Sequence, residues 1–159
     1  MALRRFDSLK DFNNFTYRAY DKSPMEFVLL NTDAQMPTRA TSGSAGYDLY
    51  AMDDVTIPLY GQATIPTGVG IINVPKDVAG FIWPRSGTAH KAGIDRLAGL
   101  IDSDYSDGIG VILINHGDKP FHIKKGDRMA QIVFKNIILV ANDIVISDDR
   151  DGGFGSTGK

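Results

Sequence analysis

Asp102 and Tyr105 stand three positions apart in GLIDSDYSDGIGVILIN, between the apolar runs Leu97 to Ile101 and Ile109 to Ile114. Two apolar runs joined through an Asp-, Ser- and Gly-rich bend predict a β-hairpin. A hairpin mouth with one acid and one flat ring can hold a small ligand and activate a water beside it. Taken alone, the same residues are better explained as turn formers, with Asp102 and Asp104 shaping the bend and Tyr105 only packing. PRSGTAHK, Pro84 to Lys91, offers different chemistry. Its Ser86-Gly87 pair, at the start of a short predicted helix, presents a hydroxyl and free backbone N–H groups, and Arg85 and Lys91 add positive charge, a combination suited to phosphate. An ordinary N-cap, worth about 1 kcal/mol, accounts for Ser86 but not for the flanking cations.

Three further stretches carry polar groups in unusual settings. RDGGFGSTG, Arg150 to Gly158, combines glycines that let backbone N–H groups converge on an anion with the hydroxyls of Ser156 and Thr157. It is not a Walker A loop, because GxxxxGK[ST] is absent. A flexible linker has the same composition, but Phe154 has little reason to stand there unless its ring stacks on something. In AGYDLYA, Ala45 to Ala51, strand alternation puts Tyr47 and Leu49 on one face and Asp48 on the other. Asp48 there suits a metal-bound water or a backbone N–H. In GDRMAQIVF, Gly126 to Phe134, Arg128 and Gln131 lead into an apolar strand, and a buried Gln131 needs a partner.

The elements that must position these residues read as short strands. From Met25 onward, Phe27 to Leu30, Val55 to Leu59, Ala63 to Ile65, Val69 to Val74, Gly80 to Trp83, Val111 to Ile114, Ile132 to Phe134 and Ile137 to Ile146 are rich in Val, Ile and Phe. Pro, Gly, Asn or Asp bounds them, the pattern of strands. Their regular spacing predicts an all-β sandwich or barrel rather than alternating β-α units. Thr88 to Ala92 predicts one short helix. Residues 1–24 stand apart as an extension: Leu3, Phe6, Leu9, Phe12 and Phe15 recur every three residues, compatible either with a helical face that packs on this core, a neighbouring subunit or a protein partner, or with a bland, partly disordered extension. The core is expected over residues 25–147, followed by a flexible Gly-rich tail over 148–159.

Composition removes several functions. With 159 residues the chain is expected to form one domain with its own core. A net charge of −2 gives no cationic face for duplex nucleic acid, though a nucleotide needs only local donors. No cysteine is present, which rules out thiolate zinc sites and thiol nucleophiles. His90, His116 and His122 lack metal-ligand spacing. With no apolar run near the ~20 residues of a membrane span and no signal-peptide core, the expectation is a soluble, cytoplasmic protein. For a viral or phage source that means the host-cell cytoplasm, and the nucleus is left open.

In this order, AGYDLYA, PRSGTA, AGLIDSDY, GDRMAQIVF and GGFGSTG resemble the five motifs of the trimeric deoxyuridine triphosphatases (dUTPases), which convert dUTP to dUMP and pyrophosphate. The resemblance runs from about Met25 to Gly158. It implies an all-β jelly roll, or distorted β-barrel, with one short helix, in a homotrimer that exchanges its C-terminal tails and builds each site from three subunits. It also implies that Asp102 is the general base for the water attacking the α-phosphate, and that Tyr105 packs under the deoxyribose and rejects a 2′-hydroxyl. Backbone groups around Gly99 and Ile101 would read uracil. Arg85, Ser86, Gly87 and Gln131 would hold the phosphates. Asp48 would bind Mg²⁺ through water, the metal being chelated by the triphosphate. Phe154 and Gly155 would close over the base, with Ser156 and Thr157 capping the γ-phosphate, which Arg150 would also reach. The resemblance makes the product dUMP a supply for thymidylate synthesis.

Three departures from the family pattern are visible, the first being the 24-residue extension, which has no counterpart in the shared core. After Tyr105 the family usually carries Arg-Gly-Glu, and this chain has Ser106-Asp107-Gly108. The usual tail arginine falls at Asp149, with Arg150 one residue nearer to Phe154. The nearest rival, dCTP deaminase, shares the fold but uses a glutamate near the base. The only glutamate here is Glu26, outside every motif. A nucleotide-dependent regulatory role on the same scaffold, with residues 1–24 meeting a protein partner, is compatible with the same sequence as an addition to catalysis.

Overall fold

The computed structural model describes residues 24–145. The extension over 1–23, the tail over 148–159 and the motif residues Arg150, Phe154, Gly155, Ser156 and Thr157 lie outside the described residues.

Among the described residues, eleven strands and one helix follow in sequence: β1 (Glu26–Leu29), β2 (Tyr47–Tyr50), β3 (Val55–Ile57), β4 (Gln62–Pro66), β5 (Val69–Ile72), β6 (Val78–Pro84), α1 (Ser86–Ala92), β7 (Ile94–Arg96), β8 (Leu100–Ile101), β9 (Gly110–Asn115), β10 (Phe121–Ile123) and β11 (Arg128–Asn136). All pairings are antiparallel. The strands form sheets ordered β2-β11-β6-β8, β4-β9-β7, β1-β5 and β10-β3, and no barrel closes among the described residues. The all-β class with one short helix matches the sequence expectation.

The core gathers Leu49, Ile57, Ile65, Ile82, Ile94, Ile109, Val111, Leu113 and Ile132, each at most 2% exposed, around one apolar centre. β9 shows how the sequence does this. Val111, Leu113 and Asn115 alternate inward while Gly110, Ile112 and Ile114 face the other way, as a two-residue period requires. Asn115 is fully buried because every polar atom of its side chain is bonded. Its Nδ2 donates to Ile57 O at 3.1 Å and Lys119 O at 2.9 Å, and its Oδ1 accepts from Gly117 N at 2.9 Å.

Two sequence expectations change. The hairpin between Leu97–Ile101 and Ile109–Ile114 does not form. Instead β7 pairs with β9 (Arg96 opposite Leu113), Leu97 N adds one bond to Ile112 O, and the chain then leaves for the other sheet, where β8 pairs with β6. The departure is made by two left-handed residues, Ala98 (φ 55°) and Gly99 (φ 102°). The Arg96 guanidinium braces the corner through Nη1 to Ala98 O at 2.6 Å, and Gly99 O accepts from Ile82 N at 2.8 Å. An apolar run therefore served two sheets, which periodicity alone does not reveal. The second change concerns Ile137 to Ile146. Its described part, 137–145, is no strand, and Ile138 (95%) and Ile144 (91%) lie almost fully exposed. Apolar β-formers make a strand only where they pair with a neighbour, and none of the sheets of the described residues includes this segment.

Candidate active site

The four-stranded sheet does the positioning. Gln131 on β11 lies directly opposite Asp48 on β2 and Trp83 on β6, so the three share one face, while Leu49, Ala130 and Ile132 point to the core. Pro84 ends β6 and α1 begins at Ser86. The PRSG turn therefore arrives at the same end of the sheet as Asp48 and Gln131. The three stretches enclose an open cleft of about 590 Å³ lined by Asp48, Arg85, Ser86, Gly87, Lys91 and Gln131, with Ser44 to Gly46 on the other side.

Inside the cleft the charges are arranged around Asp48. Its side chain is 12% exposed, with Oδ1 at 3.2 Å from Arg85 Nε and Oδ2 at 3.2 Å from Arg128 Nη1. A carboxylate this shielded needs such partners, because an unpaired one would forfeit most of its hydration. The partners are guanidiniums rather than the backbone N–H that the sequence also allowed. Gln131 is held more lightly: Nε2 donates to Pro84 O at 3.3 Å, and its side chain rests on Gly46, where an added Cβ would come within 2.3 Å of Oε1. Ser86 does not cap α1. Arg85 is the N-cap residue, with no side-chain cap bond, so the Ser86 hydroxyl is not spent on capping.

Could these groups hold a divalent metal? Among the described residues no three His, Cys, Asp or Glu side chains gather into a metal cage. Both Asp48 oxygens face guanidiniums, yet a carboxylate has about four acceptor sites, so each oxygen can still accept from a metal-bound water. The residues thus fit Mg²⁺ that takes its direct ligands from phosphate oxygens and meets the protein through its water shell.

The remaining described candidates form a second group. Tyr105, 8% exposed, belongs to the core, and its hydroxyl donates to Gly108 O at 3.1 Å. The backbone of the segment that departs from the family pattern thus anchors the ring, through a carbonyl that any residue at 108 would supply. Asp102 follows Ile101, which pairs with Gly80, while Ser86 lies two residues past Pro84 at the far end of β6. At ~3.3 Å per residue, Asp102 and Ser86 of one chain are roughly 20 Å apart. Gly99, Ile101, Asp102 and Tyr105 accordingly share one region and the phosphate-suited residues another. Sequence reasoning singled out Arg128 without giving it a role in the site, and did not select Ser44, Gly46 or Thr88. The polar run in GDRMAQ and the hydroxyl- and Gly-rich ATSGSAG were the available signals.

Comparison with known proteins follows the same motifs. The family model described as dUTPase matches residues 32–158. The deoxyuridine 5′-triphosphate nucleotidohydrolase of Kluyveromyces lactis is 43% identical over 140 residues, covering 85% of this chain and 94% of that protein. The rat protein of the same name is 44% identical over 146 residues, covering 89% and 71%, and that of Arabidopsis thaliana 46% over 147 residues, covering 87% of each. Among solved structures, a mutant dUTPase of phage 80alpha superposes with a TM-score of 0.71 at 24% identity, covering 86% of this chain and 100% of that one. A mutant dUTPase from phage phi11 of S. aureus, described with a structural Mg(II) ion, gives 0.69 at 24% identity, covering 79% and 99%. At these identities the structures speak for a shared fold.

Proposed function

Since the chain belongs to the dUTPase family and is a dUTP diphosphatase, we propose that it cleaves dUTP to dUMP and pyrophosphate through a water that Asp102 deprotonates and directs at the α-phosphate. The observation that carries this reading is the convergence of Asp48, Arg85, Ser86, Gly87 and Gln131, from three separate stretches, on one cleft. Phosphoryl transfer asks the protein for alignment and charge neutralisation more than for covalent chemistry. Arg85 contributes charge, Ser86 a hydroxyl, Gly87 a backbone N–H and Gln131 an amide to the phosphates. Asp48 would hold, through water, a Mg²⁺ bound to the triphosphate, which would supply further charge neutralisation. Tyr105, fixed by its core packing and its bond to Gly108, is the wall under the deoxyribose that leaves no space for a 2′-hydroxyl. Backbone groups at Gly99 and Ile101 face the uracil edge.

The roughly 20 Å between Asp102 and Ser86 on one chain supports a site in which one copy supplies the phosphate cleft and another the base. Apolar surface on one chain supports such an assembly: Trp83 is 42% and Leu100 58% exposed on the sheet, and Ile138 to Val145 is open along its length. A homotrimer with three equivalent sites fits this division. In it the tail crosses to a neighbour, where Phe154 and Gly155 close over the base and Arg150, Ser156 and Thr157 meet the γ-phosphate. The test is pyrophosphate release from dUTP, UTP, dTTP and dCTP with and without Mg²⁺. Turnover of dUTP alone, and only with the metal, is expected. Equal turnover of UTP would remove the role of Tyr105, and ammonia release from dCTP would replace the reaction itself.

A further inference from the structure

We propose that Arg128 is a positioning residue for Arg85, acting through Asp48. The inference rests on the reading of Arg85 as a phosphate ligand. Three contacts close a ring. Arg128 Nη1 donates to Asp48 Oδ2 at 3.2 Å, Asp48 Oδ1 lies 3.2 Å from Arg85 Nε, and Arg85 Nη1 donates to the backbone O of Arg128 at 3.4 Å. None of the three engages Arg85 Nη2. A guanidinium carries five donors in a rigid plane, so pinning Nε and one Nη1 proton fixes where the remaining three point.

The backbone has been bent to make this ring. In β11 the register with β2 slips between Arg128 and Ala130: Arg128 pairs with Tyr50 and Ala130 with the adjacent Leu49. In a regular strand, residues two apart share a face, so Arg128 would follow Ala130 into the core. The bulge puts one extra residue between them and turns Arg128 onto the face of Asp48 and Gln131. Burying an unpaired guanidinium is costly, so the bulge and the ring belong together. Arg128 nevertheless does not reach the phosphate cleft. It lines a smaller neighbouring cavity of about 300 Å³, and Arg85 lines both. A side chain placed behind the ligand-facing arginine can aim it without touching what it binds.

The test is a double-mutant cycle on the full chain with dUTP, measuring kcat, KM and Tm for Arg128→Met, Asp48→Asn and the pair. Misaiming a bound group costs catalysis more than affinity, so Arg128→Met is expected to lower kcat by about 10–100-fold with KM within about threefold. Because both singles break the same ring, the double variant is expected within about threefold of the worse single. Arg128→Lys keeps a donor for Asp48 and is expected to recover part of the lost kcat. Single losses that multiply in the double variant, or an Arg128→Met enzyme with wild-type kcat, would overturn the proposal while leaving the phosphate cleft intact. A wild-type chain that releases no pyrophosphate from dUTP would overturn the cleft and this inference together. If Arg128→Met does not fold, Arg128→Gln takes its place with the same two expectations.

Discussion

Asp102→Asn removes the proposed base and keeps its shape, so turnover of dUTP is expected to fall at least ~100-fold while dUTP still binds. Unchanged single-turnover rates would end that assignment. Gly46 gives a subtler test of the cleft. A methyl there would collide with Gln131, at 2.3 Å from Oε1, 3.0 Å from Cδ and 3.1 Å from Cβ, so the side chain that bonds Pro84 O would have to shift. Gly46→Ala is expected to cost about 10–100-fold in kcat/KM with little change in Tm, the signature of a displaced ligand rather than a damaged fold. At this scale the sequence was informative where a motif fixes residue type. Arg85, Ser86, Gly87, Gln131 and Asp48 were all legible as candidates, and they meet in one cleft. The partners of Asp48 were not legible, because one ion pair joins β2 to the turn after β6 and the other crosses from β11 at a bulge.

Elements were legible where one segment serves one sheet. β4, β5, β6, β9 and β11 each overlap an apolar run bounded by turn residues. The apolar run Leu97 to Ile101 failed as half of a hairpin because its two ends belong to different sheets, and the switch rests on backbone angles that an apolar pattern does not encode. Gly99 makes this testable. Its φ of 102° lies beyond the ordinary left-handed well that Ala98 occupies, and a Cβ would stand 3.1 Å from Ile82 Cβ. Gly99→Ala should cost about 1–2 kcal/mol, read as a fall in Tm, and should lower kcat as well by shifting Ile101 and Asp102. A stability loss without any kinetic change would mean that this corner does not position the base. A second junction, Lys125 to Asp33 at 2.9 Å, shows the opposite character. The hydrogen bond and charge of Lys125 hold the Asp33 carboxyl below its ordinary range, and Asp33 holds the Lys125 ammonium above its own. Its contribution is therefore present above the ordinary carboxylate range and lost as pH falls through the depressed Asp33 value. Because both side chains are exposed, Lys125→Met is expected to change Tm slightly at low salt and not at all at high salt.

On the scale of the whole molecule, a single chain places the Asp48–Arg85–Gln131 cleft and the Asp102–Tyr105 region at opposite ends of β6, with exposed apolar residues Trp83 and Leu100 on the same sheet. If each working site takes Arg85 from one copy and Asp102 from another, two inactive variants should repair each other. Arg85→Ala and Asp102→Asn homo-oligomers are each expected to be nearly inert. After the two are unfolded together and refolded as an equal mixture, one junction in four would join a chain with intact Arg85 to one with intact Asp102, so about a quarter of wild-type activity should return. Size-exclusion chromatography checks that the mixed species matches the wild-type oligomer. If both groups served the same site from within one chain, no mixing ratio would restore turnover, and the roughly 20 Å between Asp102 and Ser86 along β6 would have to be closed by a rearrangement of the sheet itself. Recovery near a quarter also separates exchange between copies from simple stabilisation of one variant by the other, since stabilisation cannot return a base or an arginine that neither site contains.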